Sequence, residues 1–273
     1  MIPMQEMPPV TAVLFAGGKG TRLHSVTQGR VPKSFVTLDE RSDTRVIDHL
    51  LDAVSRSNVE KTIISTTANL RRMFEPFVSD RIAITCDRKE GAGTYDALLD
   101  VRKQEGDGSQ YLLLAQDNLF HAHDLCALRA AHRPGTATWL VGEYVPGMDS
   151  YAGMHVDTRS SDIIGDTKSD IPPFCIAVSV REYVRSNVVM IDPSLLDKSS
   201  DGFRGRCHKQ GEVDVYWDFL PALLRDSIDA ARDGKKALLK ASVSKFPIVD
   251  FGRPERLATA REIYKTVYAP SSL

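Results

Sequence analysis

The sequence predicts an α/β fold: a mostly parallel sheet flanked by helices, followed by a smaller strand-rich lobe. Three observations predict it. Short apolar and β-branched runs alternate with amphipathic segments from Val10 to His132. The links between them are short, which suits parallel strands covered on both faces. Beyond about residue 135 the rhythm changes and strand-like runs predominate.

Taken in order, Val10 to Phe15 is a buried strand that runs into a glycine-rich turn, and Ser34 to Leu38 alternates weakly as a short strand. Val46, Ile47, Leu50, Leu51 and Val54 recur at helical spacing, so 45–57 is an amphipathic helix. Lys61 to Thr66 is a strand, Asn69 to Val78 helical, Arg81 to Thr85 a strand and Gly93 to Lys103 a helix. Gln110 to Ala115 is the most apolar strand after the first, and Asp124 to His132 is a helix. In the second half Thr136 to Val145, Met154 to Val156, Ile163 to Gly165, Ile176 to Val180 and Val188 to Ile191 are strand candidates. Lys198 to Gly211 is polar and glycine-containing and reads as a mobile loop. Val213 to Arg232 holds one or two helices, with Pro221 breaking or beginning a turn. Ala237 to Ala241 and Phe246 to Phe251 are strands, and Arg253 to Val267 is a closing helix with Pro254 in its first turn. No repeat and no sharp boundary interrupts the chain. Residues 1–273 therefore read as one domain with halves of about 10–135 and 136–268.

Composition narrows the function classes. The chain has 273 residues, 42% hydrophobic and 26% charged, with a net charge of −1. That is globular, and it gives no basic surface for nucleic acid. No apolar run approaches a membrane span. The first nine residues lack a signal-peptide plan and read as a loose tail. Cys86, Cys126, Cys175 and Cys207 form no Cys-x-x-Cys pair, which suits reduced, buried thiols in a cytoplasmic protein. His121-x-His123 is an alternation that metal sites use, but a polar segment after a strand accounts for it better.

The chemistry centres on Phe15-Ala-Gly-Gly-Lys-Gly-Thr-Arg-Leu23, closed by Pro32-Lys33. Three glycines in four positions let a phosphate approach backbone N–H groups without a Cβ in the way. Arg22 and Lys33 add a planar guanidinium and a point ammonium, a set suited to a polyphosphate. The loop is neither a Walker loop nor a full Gly-x-Gly-x-x-Gly, and an ordinary β-to-α turn with surface cations also fits the glycines alone. In an open parallel sheet ligands bind at the carboxyl ends of strands. Asp117 follows Tyr111–Ala115, and Asp250 ends Phe246–Asp250. Two such carboxylates beside a phosphate loop make a Mg²⁺ site, although each aspartate also suits a helix cap.

Gly-Gly-x-Gly-Thr-Arg-Leu followed by Pro-Lys resembles the sugar-1-phosphate nucleotidyltransferases, or NDP-sugar pyrophosphorylases. Leu113–Phe120 is similar to their second motif, a strand ending in Gly-Asp, with Gln116 in place of the glycine. Val249–Leu257 is similar to their Asp-x-Gly-Thr-Pro-Glu segment, with Arg253 for threonine. The resemblance implies metal-ligand roles for Asp117 and Asp250 and nucleotide contacts at Ala16, Gly17, Gly18, Gly20 and Thr21. Gly91 to Leu98 resembles the segment that meets the base, implying a contact at Gly93, with Tyr95 altering that pocket. Ile164-Gly-Asp-Thr-Lys168 is the best match to a Glu-Lys motif that holds the sugar and its phosphate. Lys168 fits, Thr167 replaces the glutamate and Asp166 lies one place away. A solvated surface lysine remains the other reading of Lys168. The implied fold is the Rossmann-like nucleotidyltransferase type, a mostly parallel mixed sheet with a smaller sugar-binding lobe.

The implied reaction joins an NTP to a sugar 1-phosphate and releases pyrophosphate, with Mg²⁺ as cofactor and Arg22, Lys33 and Lys168 as catalytic cations. Its partners are these two small substrates; a homo-oligomer is compatible with it. Pro-Lys-x-Phe is similar to guanylyltransferases acting on mannose 1-phosphate, whereas Asp-Asn-Leu-Phe with His123-Asp124-Leu125 is similar to thymidylyltransferases acting on glucose 1-phosphate. GTP is slightly favoured over dTTP or UTP. Two rivals stand beside this reading. One is a related transferase with a non-sugar acceptor, against which Thr21-Arg22-Leu23 argues; the other is a non-catalytic nucleotide-sugar sensor, which Gln116, Arg253 and Thr167 keep open.

Overall fold

The two most apolar runs of the sequence become adjacent central strands. In the computed structural model the described residues are 8–18, 20–29, 31–87, 93–146, 153–167, 171, 179–198 and 212–269. Their strands are β1 (Val10–Phe15), β2 (Thr37–Asp39), β3 (Thr44–Arg45), β4 (Lys61–Thr66), β5 (Ile82–Cys86), β6 (Gln110–Ala115) and β7 (Asn118–Leu119). There follow β8 (Ala137–Gly142), β9 (Gly153–Asp157), β10 (Asp162–Asp166), β11 (Val180–Ile191), β12 (Leu239–Val243) and β13 (Val249–Asp250).

Nine of them form one sheet in the order β5-β4-β1-β6-β11-β8-β12-β10-β9. β5, β4, β1 and β6 are mutually parallel. β11 then runs antiparallel between β6 and β8, and β12 returns parallel to β8. β9 pairs with β10 and with the first half of β11, so the second half of the chain curls its sheet back on itself. The expected change from a parallel half to a strand-rich, mixed half is therefore present.

Alternation along β1 explains the layers. Val10, Ala12 and Leu14 face a core with the helices Val46–Ser55, Ala122–Ala131 and Pro254–Ile263, while Val13 and Phe15 face a second core with Thr94–Glu105 and Leu220–Arg232. Both faces of the sheet are covered, which is why β1 and β6 are mostly apolar along their length.

Several expectations change in detail. β11 is one twelve-residue strand, not two short ones: Arg185, Ser186 and Asn187 interrupt its apolar pattern, but Arg185 still pairs with Val141 and the strand resumes at Val189 after a register shift. Residues 172–178, part of the expected Ile176–Val180 strand, lie outside the described residues, as do 199–211 of the expected mobile loop. Asn69–Val78 is only a helical turn at Arg71–Phe74 with a 3₁₀ turn at Glu75–Phe77. Phe246–Phe251 shortens to the two-residue β13, which pairs with β7 rather than with the main sheet. Pro221 breaks nothing. It sits in the first turn of Leu220–Arg232, where its missing N–H is not needed, and a π turn at Val215–Phe219 leads into that helix.

Gly93 shows how closely the two halves meet. Its φ is +85°, and a Cβ there would stand 2.3 Å from the Val213 carbonyl oxygen. That oxygen accepts the Tyr95 N–H at 3.1 Å, so the backbone cannot withdraw without losing the bond. Gly93→Ala should therefore destabilise the protein by about 2–4 kcal/mol in denaturant unfolding, far beyond an ordinary surface change.

Candidate active site

The parallel register brings four strand ends to one edge. Phe15 lies opposite Ser65 and Ala115, and Thr66 lies opposite Cys86. The glycine loop, Asp87 and Gln116-Asp117 therefore leave the sheet side by side. Ala16 N–H still donates to the Ser65 carbonyl at 2.7 Å, after which the loop departs. Gly17 has room because it lacks a side chain: a Cβ would lie 3.2 Å from Asp87 Oδ2. Gly18 faces the Gln116 amide, and Gly20, at φ +62°, packs on the Lys33 side-chain stem. Thr21 and Arg22 stand exposed on a 3₁₀ turn that the buried Leu23 anchors. Lys19 lies outside the described residues.

The two expected metal ligands meet through a local ribbon. β13 pairs antiparallel with β7, setting Asp250 opposite Asn118, and the Phe251 N–H donates to the Asp117 carbonyl at 3.0 Å. Both carboxylates then converge over Gly252, where a Cβ would lie 2.9 Å from Asp117 Oδ2 and 3.0 Å from Asp250 Oδ1. Neither aspartate caps a helix. The helix after Asp117 starts at Ala122 under a His121 cap, and the one after Asp250 starts under Arg253 without a side-chain cap.

Each carboxylate carries a cation. Lys33 Nζ donates to Asp117 Oδ2 at 2.7 Å, and Lys33 is only 8% exposed. Arg256 Nη1 lies 3.1 Å from Asp250 Oδ2. Burial opposes ionisation of Asp117, but the Lys33 ammonium, with the charge of Arg22 added, outweighs it and holds the carboxyl below its usual range. Burial and then the Asp117 charge push Asp250 upward, against the Gly252 N–H and Arg256. Two convergent hard oxygen donors and a gap that one methyl would fill fit Mg²⁺, which takes one or two carboxylates and completes its shell with phosphate and water. Among the described residues no group of three or more His, Cys, Asp or Glu side chains is arranged for a metal. His121 instead accepts the His123 N–H at 3.1 Å and stacks on Phe246.

Beyond Asp117, at the strand-rich half, lies a second polar cluster. Arg185 Nη1 donates to Asp166 Oδ2 at 2.8 Å, and Nη2 donates to the Tyr216 carbonyl at 3.0 Å. Its guanidinium sits between the Trp139 and Trp217 rings, 5.1 and 5.3 Å from their centroids. Trp217 is 41% exposed. Among the described residues the buried Tyr216 hydroxyl has no hydrogen-bond partner, and burial, Asp214 and Asp117 hold the phenol well above its usual range. Thr167 ties both backbone groups of Gly153 and so has a structural task. Lys168 lies outside the described residues.

Sequence reasoning missed Asp87, Arg185, Tyr216 and Arg256. Asp87 was within reach of the same rule that selects Asp117, since it too directly follows a strand of the parallel half. Burial pushes its carboxyl upward, while Ser65 Oγ donates to it at 3.3 Å. Gln116, the departure from the expected Gly-Asp, accepts the Ser34 N–H at 3.3 Å and faces Gly18. It thereby ties the Pro-Lys segment to the glycine loop.

A family model described as nucleotidyl transferase matches residues 11–150. No curated sequence matches the chain. Among solved structures, the inositol-1-phosphate CTP transferase from T. maritima superposes with a TM-score of 0.66 at 15% identity, covering 94% of this chain and 97% of its own. HddC from Yersinia pseudotuberculosis gives 0.64 at 17% identity, covering 93% and 99%. A UDP-glucose pyrophosphorylase complexed with UDP-glucose gives 0.66 at 14% identity, covering 94% and 98%. At such identities these likenesses speak to the fold, which they share over nearly the whole chain.

The Lys33–Asp117 pair makes a prediction with a definite sign. With its pKa lowered, Asp117 contributes stability above the usual carboxylate range, lost as pH falls through the lowered value. Lys33→Met leaves the carboxylate buried without its cation and should cost about 3–5 kcal/mol near neutral pH in metal-free buffer. The Asp117 pKa would then be raised by burial, so acidification through the carboxylate range should stabilise the variant relative to wild type. Denaturant unfolding of both across pH measures this.

Proposed function

We propose, from the premise that the chain belongs to the nucleotidyl transferase family, that it transfers a nucleotidyl group from GTP to a sugar 1-phosphate, giving an NDP-sugar and pyrophosphate. The observation that carries this reading is the convergence of Asp117 and Asp250 over Gly252, beside a glycine loop at the carboxyl ends of parallel strands. One structural neighbour is named for inositol 1-phosphate and CTP, another for UDP-glucose. A phosphorylated cyclic polyol is common to both names and the base is not, which supports the acceptor class and leaves the base to this chain's own residues.

A phosphate oxygen of the acceptor attacks the α-phosphorus and forms the new P–O bond. The α–β bridging bond breaks, and its electron pair leaves on pyrophosphate. The nucleophile is already an anion, so no general base is needed, and catalysis consists of positioning and charge neutralisation. Ala16, Gly17, Gly18, Gly20 and Thr21 hold the nucleotide along the loop. Arg22 neutralises the leaving pyrophosphate, Lys33 holds the triphosphate and Lys168 meets the acceptor phosphate. Asp117 and Asp250 are the residues that would hold Mg²⁺, which supplies Lewis-acid charge neutralisation at phosphate oxygens.

The choice of GTP is supported by Asp87. Asp87 sets a carboxylate oxygen against Gly17 while its other oxygen accepts from Ser65, and a carboxylate matches the adjacent N–H groups that guanine presents at N1 and N2. Uracil and thymine present one N–H between two carbonyls, against which a carboxylate is repelled.

Pyrophosphate release with Mg²⁺, across the NTPs and a panel of sugar 1-phosphates, tests the reading. Turnover with GTP and one sugar 1-phosphate is expected. Nucleotide-sugar binding without release would make the protein a sensor. Arg22→Ala should lower kcat about a hundredfold or more while leaving the acceptor KM nearly unchanged. Asp87→Asn should narrow the preference for GTP over ITP, which lacks the N2 amine, by about tenfold; an unchanged ratio would remove Asp87 from base recognition.

A further inference from the structure

The Lys33 ammonium and a divalent cation would claim the same oxygen. Asp117 Oδ2 is the atom that Lys33 holds at 2.7 Å, and it is also the Asp117 oxygen that converges with Asp250 over Gly252. Arg256 meanwhile holds the other oxygen of Asp250. The free site is thus already balanced, with two carboxylates facing two organic cations. A divalent ion entering alone would meet the ammonium on its own ligand in a buried, weakly screened place. An ammonium has three donors and sits on a flexible stem, so it is suited to exchange one anion for another.

We propose that Lys33 is a placeholder for the divalent cation: it occupies Asp117 in the free protein and passes to the triphosphate when nucleotide arrives, so that metal and nucleotide load together. The inference rests on reading Asp117 and Asp250 as the metal ligands, and it adds a coupling between two ligands that share this one side chain. Such a coupling is reciprocal: nucleotide tightens metal to the same degree that metal tightens nucleotide. It also gives the buried pair a task in the free protein, where it keeps Asp117 ionised and in place before any ligand is present.

Binding of Mn²⁺ alone to the full chain, read by electron paramagnetic resonance, tests the proposal without relying on turnover. Wild type should bind Mn²⁺ weakly. Lys33→Met should bind it about tenfold more tightly, a factor typical of such couplings, and Mn²⁺ should raise the variant's Tm by more than that of wild type. A second variant, Gly252→Ala, keeps Lys33 but places a methyl group 2.9 and 3.0 Å from the two carboxylate oxygens, and should abolish the binding. The proposal is overturned if Lys33→Met binds Mn²⁺ no more tightly than wild type, or stays unfolded when Mn²⁺ is supplied. It is also overturned if Gly252→Ala leaves the Mn²⁺ affinity unchanged. Tighter Mn²⁺ binding by Lys33→Met in a protein that releases no pyrophosphate would uphold the placeholder and refute the transferase reading.

Discussion

The buried pair between Lys33 and Asp117 is the interaction on which the site depends. Its two residues are 84 positions apart in the chain, and neither has another reason to be buried. Lys33 opens a 3₁₀ turn after Pro32, while Asp117 follows a strand at the middle of the sheet. Joining them closes the glycine loop against the strand ends, with Gly20 packed on the lysine stem. The Asp117 backbone carbonyl then accepts from Phe251 beside the β7–β13 ribbon, while its carboxylate converges with Asp250. A buried ion pair is weak evidence of net stability, since desolvation offsets most of the attraction. It is better understood as a device that holds an ionised carboxylate where the glycine loop, the strand ends and the β7–β13 ribbon of the candidate site meet.

A second constraint is close approach. Gly93 and Gly252 each stand where a backbone segment or a carboxylate lies too near for a Cβ, and Gly17 is tight against Asp87. At Gly93 that neighbour is the Val213 backbone, so the glycine has a structural cause independent of any base contact. At Gly252 the neighbours are the two candidate ligands themselves. The strand-rich half follows a different plan. There one buried guanidinium, Arg185, gathers Asp166, the Tyr216 carbonyl and two indole rings into a wall next to the candidate site. Asp166 is therefore not a free substitute for the glutamate that the resemblance would place beside Lys168.

The parallel half was legible because its signal is local. β4 and β6 coincide with the runs Lys61–Thr66 and Gln110–Ala115, and β1 with Val10–Phe15. A strand buried on both faces must be apolar along its length, and such a run is visible without knowing its neighbours. β11 was not legible as one strand, since Arg185 is tolerated in it through partners distant in sequence, Asp166 on β10 and the Tyr216 carbonyl. The run ending at Asp250 predicts a sheet strand, whereas Asp250 reaches the candidate site on a two-residue ribbon. Asp87 was passed over because a lone aspartate after a moderately apolar strand is indistinguishable, in one dimension, from a turn residue.

The sequence by itself determined the glycine loop, its cations, the two carboxylates at the ends of segments and the change from alternating to strand-rich rhythm. Each of these is written in contiguous residues, where backbone freedom, periodicity and charge act over short range. Only the tertiary structure decided which cation sits on which carboxylate, that Gly252 is the point over which the two carboxylates converge, and that Arg185 and Tyr216 border the site. Those facts depend on the register of parallel strands and on contacts between residues far apart in the chain. Burial and the neighbouring charges together then shift the ionisation of each group, because the cost of an ion in a low-dielectric interior depends on what surrounds it in space and not on what precedes it in sequence.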